Sequence, residues 1–498
     1  MRQDFKLSKK MKTKIQHILI LTVLLAASSC SDWLELIPPQ GLVREEFWQS
    51  KEDVEAVVMG AYEAFASMDD LLFKFGEIRT DMLVGDVNQS LDEQKIMESN
   101  IYPDNGMCNW QQFYKVINFC NEVIKNVPLV QEKDKTFTDF YLQGYLSEVY
   151  FLRSLAYFYL VRIFKDVPFI TEPTESDDTE LYVPKTDGDV ILRSISEDLE
   201  NIRNYATTDG YQTMDEIKGR ATKAAFDALL ADIALWTFDY EAVISHVQKI
   251  EANIDYQLMP SLRWFELYYP GNSLESIFEF QFNMNRNQQN KMYGLTQRNG
   301  YNYDPSPRAI QSFQKGSNEL YRGEDASIKK YGEDDYIIWK YVGREPDGET
   351  VRSGSDQTSC NWIVYRLADV LLMKAEALSQ LNQFSEAAQI INMIRERANV
   401  LPLNIANSAQ AYEDVIMEER ALELAFEGKR WFDLLRMGRR NDYARKSKLI
   451  EIIVANVPST QRRILATKLN NPLGWYLPIQ ESELERNKNL LQNPYYDY

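Results

Sequence analysis

The chain has 498 residues, 45% hydrophobic and 12% aromatic, with 55 Lys/Arg against 74 Asp/Glu for a formal charge of −19. This composition suits a globular protein with one large or two intergrown cores, not a disordered one. So acidic a surface repels phosphate backbones and anionic membrane surfaces, which argues against nucleic-acid binding and leaves membrane attachment to a lipid.

Lys9, Lys10, Lys12 and Lys14 precede an apolar run from Ile18 to Ala27, which ends in Ser28-Ser29-Cys30. Basic, apolar, then small residues is the layout of a secretory signal. The run is about ten residues, whereas spanning a bilayer takes roughly 20. Ala27-Ser-Ser-Cys30 is similar to the lipobox of bacterial lipoproteins, with Ala27 where Leu is usual. That likeness implies cleavage before Cys30 and lipid on its thiol; a plain signal peptide with an incidental cysteine is the alternative. Residues 1–29 then form the leader and 30–50 a lipidated tether, with Pro38-Pro39 barring helix. The leader holds six Lys/Arg and one Asp, so its loss leaves 49 cationic against 73 anionic residues, or −24.

Periodicity predicts a helix from Glu52 to about Met68, with Val54, Val57, Val58, Ala61 and Phe65 at three- and four-residue spacing. Residues 69–108 read as irregular, and a helix follows from about Trp110 to Lys125. Glu148–Phe164 is apolar around most of its circumference and should be deeply buried. Further helices are expected at Asp189–Asn204, Lys223–Phe238, Glu241–Glu251, Tyr365–Leu381, Ser385–Ala398 and Ala411–Arg440. Alanines fall where paired helices would touch: Ala231 and Ala234 opposite Ala242, and Ala375 and Ala377 opposite Ala387 and Ala388. Such pairs resemble tetratricopeptide repeats, without a strict 34-residue period.

Residues 255–362 change character and are rich in Tyr, Asn, Gln and Gly, as in Asn283–Tyr293 and Arg298–Pro305. Only Ser276–Phe282 and Tyr336–Tyr341 read as strands. A loop-rich insertion on a rigid scaffold is where binding residues tend to lie.

Catalytic and metal signatures are missing. Beyond Cys30 there are Cys108, Cys120 and Cys360, with no CxxC or Cys/His cluster, so no zinc site is indicated. Cys108–Cys120 can be a disulfide or two buried thiols. His246 is the one histidine after His17 leaves with the leader, and its amphipathic setting favours a structural role over a Ser-His-Asp triad. There is no HExxH, GxxxxGK[ST] or GxGxxG motif.

Several stretches fall in order along the chain: Cys30-Ser-Asp-Trp-Leu-Glu-Leu-Ile-Pro38, Phe151-Leu-Arg-Ser-Leu-Ala-Tyr-Phe-Tyr-Leu160 with Phe164-Lys-Asp-Val-Pro168, and Gly219-Arg-Ala-Thr-Lys223. Later come Tyr365–Ala377, Asn392–Ala398, Glu419–Arg436, Leu477-Pro-Ile-Gln480 and Gln492-Asn-Pro-Tyr495. Together they resemble the SusD/RagB family of outer-membrane nutrient-binding lipoproteins. Glu324-Asp-Ala-Ser-Ile328 and Gln480 depart from the family pattern. The resemblance implies a mainly α fold: a tetratricopeptide-like helical-pair scaffold over about 51–254 and 363–498, with a loop-rich ligand-binding insertion at about 255–362 containing short strands. It implies a surface-exposed lipoprotein of the outer membrane that captures oligosaccharides or polysaccharide and delivers them to a SusC-like TonB-dependent transporter. No cofactor, metal or catalytic residue is implied. A peptide-binding member of the same system, an assembly scaffold without a ligand, and a surface glycoside hydrolase are the alternatives; the last needs two carboxylates about 5 to 9.5 Å apart.

Sugars need flat aromatic platforms with amides and charged groups for their hydroxyls. Two stretches supply that mixture. The first is Asn100, Tyr102, Asn105 and Trp110, in a region where the family often places ligand contacts. The second is Tyr293, Arg298, Asn299, Tyr301, Tyr303, Trp339 and Tyr341. Trp110 and Trp339 can equally be core residues, whereas Tyr293, Tyr301 and Tyr303 sit among Asn and Gly and should be exposed. Glu419, Arg420, Glu423, Glu427, Arg430, Asp433 and Arg436 recur at helical spacing, as ion pairs along a helix would. They read as a partly buried network locking helices, with a catalytic Glu/Asp pair as the alternative.

Overall fold

Ser50 starts the first helix by a reciprocal cap: its hydroxyl accepts from the backbone of Asp53, whose carboxylate accepts from the backbone of Ser50. The computed structural model describes residues 47–497 apart from 87, 175–181, 207–210, 298–301, 315–318, 320, 334 and 346. The leader, Cys30 and nearly all of the tether lie outside the described residues. The body that carries the elements below begins at Ser50.

In chain order the elements are α1 (Lys51–Ala66), α2 (Asp69–Glu77), β1 (Leu83–Gly85), α3 (Leu91–Met97), α4 (Gln111–Lys133), α5 (Asp139–Phe164), β2 (Val167–Pro168), β3 (Lys185–Thr186) and α6 (Gly188–Ile202). Then come α7 (Met214–Gly219), α8 (Lys223–Trp236), α9 (Tyr240–Glu251), β4 (Ser276–Phe280), α10 (Met292–Thr296), β5 (Tyr303–Pro305), α11 (Pro307–Phe313), β6 (Ile328–Tyr331), β7 (Asp335–Ile338) and β8 (Trp362–Arg366). The chain closes with α12 (Leu367–Gln380), α13 (Phe384–Arg397), α14 (Ala409–Glu423), α15 (Arg430–Tyr443), α16 (Lys446–Ala455), α17 (Ser459–Leu469) and α18 (Glu481–Arg486). The fold is mainly α, 59% helix and 8% strand.

Helices pack as successive neighbours: α1 on α4, α4 on α5, α5 on α6, α8 on α9, α9 on α12 and α12 on α13. The alanines sit at these contacts, with Ala231, Ala375, Ala377 and Ala387 fully buried. α5 is the central post. Every residue from Phe151 to Phe164 is buried, and each Leu or Phe so buried contributes roughly 1.5–3 kcal/mol. Its two arginines are partnered: Arg153 donates to Asn121 and pairs with Asp198, and Arg162 pairs with Asp232.

Several boundaries differ from the sequence reading: α5 begins at Asp139 rather than Glu148, and the insertion holds β5 and β6 beyond the two expected strands. The segment 69–108 is not irregular throughout. α2 buries Leu72, Phe73 and Phe75, and α3 starts at a Ser90/Glu93 capping box whose S-x-x-E pattern is visible in the sequence. α4 runs on through Pro128, because Val127 and Val130 are fully buried and offset the missing hydrogen bond. Ala411–Arg440 is two helices: the chain turns at Phe426 and Gly428, with φ of 65° and 72°. There the Glu77 carboxylate accepts from the N–H groups of Gly428 and Lys429, capping α15.

Three antiparallel strand pairs tie the insertion down, and a fourth lies outside it. β4 pairs with β8 from Ser276↔Arg366 to Phe280↔Trp362, and β1 pairs with β5 from Leu83↔Pro305 to Gly85↔Tyr303. β6–β7 is a hairpin and β2–β3 a short clip after α5. The insertion is therefore part of the core, burying Trp264, Tyr268, Phe278, Trp339 and Tyr341.

The charged motif locks this arrangement. Glu423 is shared by Arg322, Arg366 and Arg397; Glu427 by Arg366, Lys340 and the Tyr268 hydroxyl. Asp369 binds Arg420 and Lys429, Glu376 binds Arg436 and Arg440, and Asp81 binds Arg430. Among the seven motif residues only Asp433–Arg436 pairs along its own helix; the rest reach other elements. Burial opposes ionisation, yet the surrounding cations hold Asp369 and Glu376 down to about 2.

His246 is buried with Nδ1 3.0 Å from Asp227 and Nε2 3.1 Å from Glu200, a structural position. Cys108, Cys120 and Cys360 are buried free thiols. Among the described residues no His/Cys/Asp/Glu group is arranged to hold a metal.

Candidate functional site

Trp110 marks the start of α4 and one end of a groove of about 520 Å³. One wall is the α4 face Trp110, Tyr114, Ile117, Asn118 and Asn121. The second is the chain leaving α5, at Pro168, Ile170 and Thr174. Tyr182 and Val183 with Glu483, Arg486, Asn487 and Leu490 close it. The α4 residues recur every three or four positions, so one helix face presents them together.

Local hydrogen bonds hold the walls. Tyr114 Oη donates to the Pro168 carbonyl at 2.7 Å, and Tyr157 Oη donates to Ile170 at 2.8 Å. Asn121 Nδ2 donates to the Ile170 and Glu172 carbonyls while its Oδ1 accepts from Arg153. Asn118 Oδ1 accepts from Thr174 N at 2.9 Å. Asn487 Nδ2 donates to the Val183 carbonyl and Asn489 Nδ2 to that of Tyr182, which fastens the C-terminal segment to the opposite rim. Trp110 is itself 4% exposed, edge-on to Tyr114 and Phe164 at 5.7 and 5.4 Å, whereas Tyr182 is 51% exposed.

The groove combines aromatic edges, an exposed tyrosine and several amides. That set can take apolar C–H faces and hydroxyls together. Glu483 is the one carboxylate among its described lining residues, and it pairs with Arg486 at 3.0 Å. A single paired carboxylate does not supply the acid and base of glycoside hydrolysis. The motif carboxylates that were the alternative catalytic pair are committed to buried cations.

The other sequence-derived candidates scatter. Asn100 is half-buried and accepts from Lys468 Nζ at 3.2 Å; Tyr102 is 46% exposed. Asn105 turns inward, accepting from Met107 N and donating to the Asp92 carbonyl. Tyr293 is half-buried, and its hydroxyl accepts from Gln357 Nε2. Tyr303, expected to be exposed, is fully buried against Phe73 because β5 pairs with β1 and turns alternate residues inward. Trp339 and Tyr341 are core residues, and Tyr341 Oη donates to the Phe426 carbonyl. Arg298, Asn299 and Tyr301 lie outside the described residues.

A second groove of about 670 Å³ runs along α1 from Glu55 to Ser67, with α7 and residues 280–291 opposite. None of the described candidate residues lines it, although part of the amide-rich Asn283–Asn290 stretch does. Sequence reasoning missed Tyr114, Asn118, Tyr182 and Asn487 in the first groove. The spacing from Trp110 along α4 offers a signal for the first two. Tyr182 and Asn487 have none, since about 300 residues separate them along the chain.

Comparison with known proteins gives a consistent result. Residues 256–496 match the SusD family model, and residues 32–235 match a model described as starch-binding associating with outer membrane. The chain is 27% identical to SusD-like protein P38 of Formosa agariphila, over 96% of this chain and 99% of that one. It is also 27% identical to SusD-like protein P2 of the same organism, over 97% and 99% of the two chains. A SusD superfamily structure from Bacteroides vulgatus superposes with a TM-score of 0.75 at 20% identity, over 90% of this chain and all of that one, which establishes the likeness of fold.

Proposed function

Since this chain belongs to the SusD/RagB family, whose proteins bind without catalysing, we propose that it captures oligosaccharides or polysaccharide at the cell surface. It then passes them to a partner TonB-dependent outer-membrane transporter. The association with glycans and with the outer membrane follows the family; the transporter partnership, the lipid on Cys30 and the outward orientation are our reading. The observation that carries the capture step is the groove of Trp110, Tyr114 and Tyr182 among Asn118, Asn121 and Asn487. Its volume falls within the few hundred to 1,000 Å³ usual for small-molecule sites.

Calorimetric titration of residues 31–498, which hold every described element, against a panel of glycans and peptides tests this. Saturable binding to one glycan class is expected, weakened about tenfold by Tyr182→Ala, since losing a buried aromatic contact costs on the order of 1.5 kcal/mol. Tyr182 is half exposed, so the variant should keep its melting temperature. Binding of peptides alone, or glycan binding indifferent to Tyr182, would reject the reading.

A further inference from the structure

The α16–α17 hairpin is a positively charged patch on an acidic protein. From Lys446 to Asn470 the chain holds five Lys/Arg and one Asp/Glu, against −19 for the whole sequence. Leu449, Ile453, Leu465 and Leu469 face inward, which leaves Arg462 and Arg463 exposed and Ile464 60% exposed.

These cations are neutralised differently from those of the core. Arg366 meets three carboxylates, those of Glu275, Glu423 and Glu427. On the hairpin, among the described residues, Lys448 pairs with Glu451 at 2.9 Å and the charge of Glu98 acts on Lys468, while Arg462 and Arg463 meet no carboxylate. Lys446 donates to the Asn470 carbonyl, and Arg462 to the carbonyls of Val457 and Ala455. Lys468 donates to the Glu98 carbonyl and Asn100 Oδ1. Backbone carbonyls orient a cation without cancelling its charge, so the hairpin keeps a local positive field. Salt limits the reach of the remaining acidic surface to about 8–10 Å, so a polymer close to the hairpin responds chiefly to the hairpin.

The hairpin is joined to the groove through one loop. Lys468 holds the Glu98–Asn100 end, Tyr102 is 46% exposed, the Pro103 carbonyl accepts from Glu481 N, and the loop ends at Trp110. Resting on the capture reading above, we infer that the cargo is an anionic polysaccharide bearing carboxylate or sulfate groups. Its sugar rings occupy the Trp110 groove, and its charges extend past Tyr102 to Arg462, Arg463 and Lys468. A neutral glycan would gain hydrogen bonds there but none of the charge attraction.

The test uses residues 31–498 with dextran sulfate and uncharged dextran of equal length, which share a backbone and differ in charge. Dextran sulfate should bind, and its affinity should fall steeply as salt rises from about 50 to about 500 mM. Dextran should show none of this salt-dependent binding. Arg462→Glu combined with Arg463→Glu should weaken dextran sulfate binding about tenfold or more and flatten the salt dependence. Arg463→Glu alone, which keeps the carbonyl contacts of Arg462, should weaken it severalfold without changing the melting temperature. No binding at low salt, or equal binding by wild type and both variants, would overturn the inference. So would variants that lose only their attachment to vesicles containing anionic phospholipid, because the patch would then serve a membrane. If Tyr182→Ala abolishes glycan binding while the hairpin variants change nothing, the anionic cargo fails and the capture reading stands. If the hairpin variants act and Tyr182→Ala does not, the groove fails.

Discussion

At the scale of single residues, Glu77 shows how burial is turned to structural use. Its carboxylate sits beneath the turn between α14 and α15 and accepts from Gly428 N at 2.8 Å and Lys429 N at 3.2 Å. Burial pushes its pKa up to about 8, against roughly 4.5 in the unfolded chain. Between those values the folded protein keeps a proton that the unfolded chain has released. This group therefore costs stability progressively as pH rises from about 5 to about 8. Glu77→Gln keeps the acceptor oxygen and removes the titration. The variant should gain stability relative to wild type across that interval, read from urea midpoints at both ends; parallel curves would contradict this. The same scale shows where sequence reading fails for single side chains. Tyr303 stands among Asn, Asp and Gly and looks exposed, whereas Trp339 and Tyr341 follow Ile337 and Ile338 and read equally as core or ligand residues. Pairing of β5 with β1, and packing of the insertion against Phe426 and Tyr268, turn them into the core.

At the scale of elements, helices were legible where an apolar face repeats and poorly legible where charge or a turn decides. The wholly buried segment of α5 and the α8–α9 and α12–α13 pairs follow directly from their patterns. The break between α14 and α15 does not, because Leu424-Ala-Phe-Glu-Gly continues a helical charge spacing while the backbone needs positive φ at Phe426 and Gly428. Nor does spacing disclose that Glu423 serves Arg322, Arg366 and Arg397 at once. Those cations hold its carboxyl far below the usual range despite full burial. Its stabilising contribution is therefore complete above the unfolded carboxylate pKa of about 4.3 and is lost as pH falls below it. Glu423→Ala would leave three buried guanidinium groups short of a carboxylate. It should cost about 3–5 kcal/mol in urea unfolding near neutral pH. A loss under about 1 kcal/mol would mean that Glu275, Glu319 and Glu427 already suffice.

At the scale of the whole molecule, the fold class was legible because several motifs fall in order along one chain. The candidate groove was legible only at Trp110. Its other walls come from the exit of α5 and from residues 483–490, which nothing local in the sequence links. The proposed attachment to the membrane rests on Cys30. Cys30→Ser should move the protein from the membrane fraction to the soluble fraction and remove the mass of the acyl chains from its N-terminal peptide. An unmodified Cys30 in the wild-type protein would rule out the lipid anchor. The central claim is that glycan is held in the Trp110 groove, and hydrogen exchange with and without a saturating glycan identified by calorimetry tests it most directly. Protection is predicted in 110–121, 168–174, 182–183 and 483–490. Protection confined to 293–341, or to the groove along α1, would contradict it.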